Sequence, residues 1–389
     1  MHVTPRSITI TVGAAAIALA LFGGALHAQR GTQQGAFLIR IGNDTIAAEQ
    51  FTRTPTLLTG DNAIRTPRAY LRHYTAAFDR QGRLTRYEVT VRVPGRPESD
   101  PPVQHATMTF RGDTAVVELR TGDSTRTVRA VAGQEVLPLM NYGYASFETI
   151  IQRALRMGGD SVVVSTLFMG APTTNPVGVK RVTRDSLVMD TPFGIVYARV
   201  DADGRLLALD SPGSTEQVIV TRVPTLDVNA LALHFSQHPL GTLSPRDTVR
   251  ATFGEAQLLI DYGRPRKRGR VVFGNVVPFD TWWRTGANAA TTFVTDHDLV
   301  IGGTPVPKGT YTLFSLPSRS GWTLIINKKT GEWGTEYDST ADLAHIDMQV
   351  TMRSEPLEQF TITLEPSGNG GTLRLAWDDR EASVPIEVR

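Results

Sequence analysis

The sequence predicts a mainly β protein in two parts: an N-terminal antiparallel sheet with one packed helix (α+β), then a C-terminal antiparallel β-sandwich. Three observations carry this. Residues 84–93 alternate with period two, Tyr87, Val89, Val91 and Val93 on one face and Arg86, Glu88, Thr90 and Arg92 on the other. Turn signals such as Asn43-Asp44, Gly112-Asp113, Gly122-Asp123 and Gly159-Asp160 cut the chain into short β-prone runs. In the first half a single segment has clear helical spacing, with Phe147, Ile150, Ile151, Ala154 and Leu155 on one stripe.

From the N-terminus, Arg6 and the apolar run 8–26 form a signal peptide, 1–28, with a cut expected between Ala28 and Gln29. A retained membrane anchor is the competing reading, since the run is close to the shortest span. Residues 29–35 read as a flexible leader. The protein is therefore expected to be exported, periplasmic or extracellular in a bacterium, with no later membrane span. The chain has no cysteine, which excludes disulfides, thiolate metal sites and a cysteine nucleophile. A formal net charge of +2 over 389 residues gives no field that would draw nucleic acid.

The N-terminal domain is expected over 36–223. Its helix, near 146–157, has Ser146 as N-cap and Gly158-Gly159 as its stop. Two turns, 79–84 and 201–206, are near copies of each other (DRQGRL and DADGRL). A long antiparallel sheet with one helix resembles periplasmic half-barrel lipoprotein folds in pattern. That resemblance would make the concave face an apolar groove, whereas a plain filled core is the simpler reading. Residues 224–244 lack strong alternation, carry Pro239 and Gly241, and read as a linker. The C-terminal domain, 245–389, shows strands throughout, ending in the runs 346–352, 360–364 and 372–377.

Its most unusual stretch is 262–288, YGRPRKRGRVVFGNVVPFDTWWRTGAN. Five cations fall in the seven residues 264–270, followed by Trp282, Trp283, Arg284 and Asn288. The elements Tyr262-x-Arg264-Pro265, Gly269-Arg270, Phe273-Gly274 and Trp283-Arg284-Thr285-Gly286-Ala287-Asn288, with Trp333-Gly334 and Trp377 beyond, make this half resemble the bacterial family called domain of unknown function 2911. The resemblance implies a β-rich exported domain and no activity.

Read as chemistry, Arg264, Arg270 and Arg284 suit an anion, because each guanidinium offers a planar fork of donors. Trp283 or Trp333 would stack on a sugar face, with Tyr262 and Asn288 beside them. Equally, the arginines can brace a long loop whose backbone carbonyls need donors. Arg266, Lys267 and Arg268 read as a solvated turn. His234-x-x-x-His238 lacks a third ligand, and no Walker loop, dinucleotide fingerprint or nucleophile elbow occurs, so no metal and no cofactor is expected. The favoured function is a non-catalytic binding module for an anionic or carbohydrate ligand at 262–288. The alternatives are an envelope-polymer hydrolase and a purely structural envelope module.

Overall fold

The computed structural model describes residues 31–389 apart from Gly213 and Thr215. The expected signal peptide and its cut lie outside the described residues. Part of the stretch read as a leader belongs to the sheet, since the first strand, Gln33–Ile41, starts at Gln33. Gln33 pairs with Arg53 across the ladder, and its side chain donates to Glu148 at 3.0 Å. A polar run that looks flexible in isolation thus gains a ladder and a buried acceptor.

The N-terminal half forms one sheet of fifteen strands. One arm runs outward from Gln33–Ile41 as a simple meander to Ser124–Val131. The other runs from Val218–Val223 through Leu206–Asp210 and Gly194–Val200 to Ser161–Phe168 and Leu137–Leu139. The first and last strands pair antiparallel at the centre and join the two arms. Leu137–Leu139 alone lies parallel to its neighbour, Ser161–Phe168. The chain between these two carries the helix α1 (Tyr144–Met157), the kind of crossover a parallel pair requires.

α1 packs under the sheet, and Phe147, Ile150, Ile151 and Ala154 are all buried as their spacing predicts. Burying each large aliphatic stabilises by about 1.5–3 kcal/mol. The helix shares one buried cluster with residues from both arms, so the sheet encloses a core there. Ser146 is not the cap. The helix starts at Tyr144, and the Glu49 carboxylate accepts from the Tyr144 and Ala145 amides at 2.6 and 3.0 Å. A carboxyl group from a distant strand replaces the local hydroxyl at the positive end of the helix dipole, while its burial works against the charged form. Glu148, also fully buried, accepts from Arg53 and the Leu206 amide at 2.8 Å and pairs with Arg222. The twin turns sit beside this helix, where Arg153 donates to the Gly82 carbonyl and the Leu155 side chain crowds Gly204. In each turn the leading aspartate, Asp79 or Asp201, accepts two backbone amides.

Residues 224–244 connect the two sheets, but they also carry a helix, α2 (Val228–Gln237), capped by Asp227. Its short stripe Val228, Ala232 and Phe235 packs on Ala63 of the N-terminal sheet. Ten residues are too few for the periodicity to stand out beside Pro239 and Gly241.

The C-terminal half is a nine-stranded antiparallel sheet folded over on itself. The runs at 346–352 and 360–364 belong to one strand of 26 residues, Asp342–Ser367. It pairs first with Trp322–Asn327 and then with Gly370–Val388. Irregularities between Met352 and Thr361 bend it, and Arg246–Phe253 at the far end of the order comes to lie against it. Trp377, Phe360, Phe293 and Trp322 fill the space between the two layers. Among the described residues no helix is long and apolar enough to cross a membrane.

Candidate functional site

Strands Ala256–Gly263 and Thr291–Thr295 are hydrogen-bonded neighbours, so 264–290 is one long excursion between them. Its first part is stitched to the bend of Asp342–Ser367. Phe360 N–H donates to the Pro265 carbonyl at 2.9 Å, and Lys267 N–H donates to that of Glu358 at 2.7 Å. Its last part is stitched to Gly309–Pro317 through reciprocal bonds between Trp283 and Ser315 at 2.7 and 2.8 Å.

The seven candidate residues separate by surroundings. Tyr262 is core: it is 1% exposed, sits edge-on to Phe360 and accepts the Ile362 amide. Arg264 uses every nitrogen of its fork, on the Phe360 carbonyl, the Asp247 carboxylate and the Thr361 hydroxyl. Arg270 is likewise spent, on the carbonyls of Lys267, Glu216 and Arg266. Trp283 is buried, its ring stacked on Trp377 at 6.0 Å, so its face is closed to a sugar. Trp333 is 51% exposed, with its backbone bridged to Ala289 beside Asn288. Trp282, the extra aromatic, packs on Phe314 and Tyr337.

Arg284 differs. It is 8% exposed, and its side chain makes one hydrogen bond, from Nη1 to the Asn288 carbonyl at 3.2 Å. No carboxylate pairs with it among the described residues, and burial alone pushes its pKa down. The backbone around it is strained: Thr285 and Asn288 have φ of 50° and 63°. A β-branched residue in that region is costly, of order 1–3 kcal/mol, and must be held. Thr285 is held by its hydroxyl, which donates to Ser315 Oγ at 3.0 Å, and by its carbonyl, which accepts from Thr291 Oγ1 at 2.8 Å. Gly334 lies so close that a Cβ there would stand 2.5 Å from Arg284 Cδ.

The reading of 266–268 as a solvated turn holds for Arg266 and fails for its neighbours. Lys267 pairs with Asp378, and Arg268 is buried and pairs with Asp44 of the N-terminal sheet. The Arg268 carbonyl accepts the Asn43 amide at 2.9 Å. Gly42 has φ +55°, and a Cβ there would run into that carbonyl. With Gln217 donating to Asn275 at 2.8 Å, these contacts dock the turn 42–44 and the loop near 216 onto the excursion.

Between the two halves lies a cleft of about 1040 Å³. Of the seven candidates, Arg270, Trp283, Arg284 and Asn288 line it, while Tyr262, Arg264 and Trp333 do not. Arg72, Tyr142 and Glu216 line it from the N-terminal side. The sequence reading missed Arg72. The signal was present: Tyr70, Arg72, Tyr74 and Ala76 share a strand face, so an arginine stands on the face that carries buried Tyr74 and Ala76. Arg72 also makes one hydrogen bond, to the Asn141 carbonyl at 2.9 Å, and burial pushes its pKa down.

No curated protein matches the chain. A solved structure of a DUF1089 family protein from Pseudomonas aeruginosa aligns at 14% identity and a TM-score of 0.33, covering 44% of this chain and 92% of that one, a likeness too loose to carry an argument. The C-terminal half has a firm match: residues 244–386 fit the model of the family described as Protein of unknown function (DUF2911).

Proposed function

We propose that this chain is an exported binding protein that takes an anionic ligand in the cleft between its two halves. The observation that carries the reading is the pairing of the cleft arginines. Of those lining the cleft, Arg270 has its donors filled by the protein, Arg268 has Asp44, and Arg266 stands exposed to solvent. Arg72 and Arg284 reach the cleft with one carbonyl each. A buried guanidinium such as Arg284 and a half-buried one such as Arg72, both with spare donors, favour a carboxylate or phosphate, because a forked, charge-assisted pair offsets the cost of taking the cation out of water. The closed face of Trp283, with Trp333 outside the cleft lining, favours an anion over a neutral sugar.

A hydrolase acting by paired carboxylates is less well supported, since Glu216 supplies the one carboxyl group among the described residues lining the cleft. Export rests on the N-terminal pattern alone, and the intact mass of the exported protein tests it, with a start at Gln29 expected.

Calorimetric titration with phosphate, acetate and glucuronate at low salt tests the binding reading. Saturable binding that weakens as salt rises and falls at least tenfold in Arg284→Met is expected. Heats of dilution alone for all three anions would defeat it.

A further inference from the structure

A second, smaller cavity of about 200 Å³ lies in the N-terminal half. It shares Arg72, Val91, Gln104 and Asn141 with the large cleft, so the two meet at those residues. Beyond them its walls turn apolar, with Val89, Leu119, Leu139, Met140, Phe168 and Met169. It lies at the margin of the core that α1 fills, between the arm 84–121 and the chain at 139–169. The Arg72 guanidinium stands at the junction, with one arm on the Asn141 carbonyl and its other donors without a protein partner among the described residues. The cleft itself adds Ile41, Ile64, Tyr70, Leu243 and Val276.

From this arrangement we infer that the ligand is an anionic amphiphile: one flexible alkyl chain with a phosphate or carboxylate head. Resting on the anion-binding reading above, the inference names the ligand class. The head lies in the wide cleft between Arg72 of the N-terminal half and Arg284 of the C-terminal half. The tail enters the small cavity past Arg72. Charge at the neck and apolar walls behind it fit such a molecule, and a small hydrophilic anion would leave the inner cavity unused. The two methionines suit a tail of variable length, because unbranched thioether side chains repack at little cost. Both halves contribute a cation, so neither half alone completes the site.

The test is a calorimetric series with inorganic phosphate and n-alkyl phosphates from butyl to decyl, kept below their aggregation limits. For the intact protein, affinity is expected to rise by about fourfold per added methylene, the usual gain for burying one, and then to level off when the cavity is full. Met169→Trp and Leu119→Trp, each checked for an unchanged thermal unfolding transition, should bring the levelling to a shorter chain. Phosphate and all alkyl phosphates binding equally would overturn the amphiphile and leave the anion site standing. A rise with chain length that neither tryptophan changes would overturn the assignment of the tail to this cavity. No binding by any member would overturn both readings.

Discussion

Arg284→Met separates a brace from a binding group. Methionine keeps the unbranched stem that packs against Gly334 and removes the charge and the donors. If the guanidinium braced the excursion, its loss would orphan a buried acceptor and cost about 1–3 kcal/mol. Its one acceptor, the Asn288 carbonyl, also receives the Gly334 amide at 3.1 Å and stays satisfied. The loss is then one hydrogen bond at 3.2 Å, about 1 kcal/mol. Against it stands relief from a buried cation with no carboxylate partner, and replacing buried charge by well-packed apolar atoms is often neutral or stabilising by about 1–4 kcal/mol. The net expectation is a variant as stable as the parent or more so. Urea unfolding followed by tryptophan fluorescence measures this. Anion titration of the same samples should show affinity lower by a factor of ten or more. A loss of 2 kcal/mol or greater would refute the reasoning and return Arg284 to a structural role.

Two further substitutions probe how α1 is capped and how the halves are held together. Glu49 is wholly buried, and burial raises its pKa to about 7 from 4.5. Its contribution to stability is therefore complete below 4.5 and lost as pH rises through 7, by roughly 3 kcal/mol for a shift of that size. Urea midpoints at pH 5 and pH 8 should differ less in Glu49→Gln than in the parent, and equal differences would exclude Glu49 as the titrating group. Gly42→Ala puts a Cβ against the Arg268 carbonyl at a φ of +55°. That backbone state costs an L-residue about 1–2 kcal/mol before any clash. The variant should lose at least that much stability and be cut faster by protease within 238–245. A parent-like digestion pattern would show that the 42–44 turn does not fix the two halves together.

Much of the fold was legible because strand faces and helix stripes are local. The α1 stripe, the 84–92 alternation and the turn chemistry each depend on residues within a few positions of one another. What stayed hidden was set by distant partners. The α1 cap comes from Glu49 rather than Ser146, and the bend joining 346–352 to 360–364 is invisible to a reading that looks for separate runs. α2 escaped notice because its stripe has three residues and needs Ala63 to give it a partner.

The site shows the same limit more sharply. In the sequence, Arg264, Arg270 and Arg284 are equivalent candidates and Arg268 reads as part of a solvated turn, four forks in one basic stretch. Their roles are assigned by what each fork meets. Asp247 and the Phe360 carbonyl make Arg264 a strut, Asp44 makes Arg268 a clasp between the halves, and three carbonyls occupy Arg270. Arg284 is set apart by the strained turn at Thr285, which places its guanidinium on the cleft wall with a single carbonyl partner. The partner cation, Arg72, lies in the other half on an ordinary-looking strand. No inspection of 262–288 alone could have paired them, because the cleft exists only once the 42–44 turn has docked on Arg268. The density of arginine in that stretch thus follows mainly from bracing the excursion and joining the halves, and the binding role falls to Arg284, the buried cation with a single carbonyl partner.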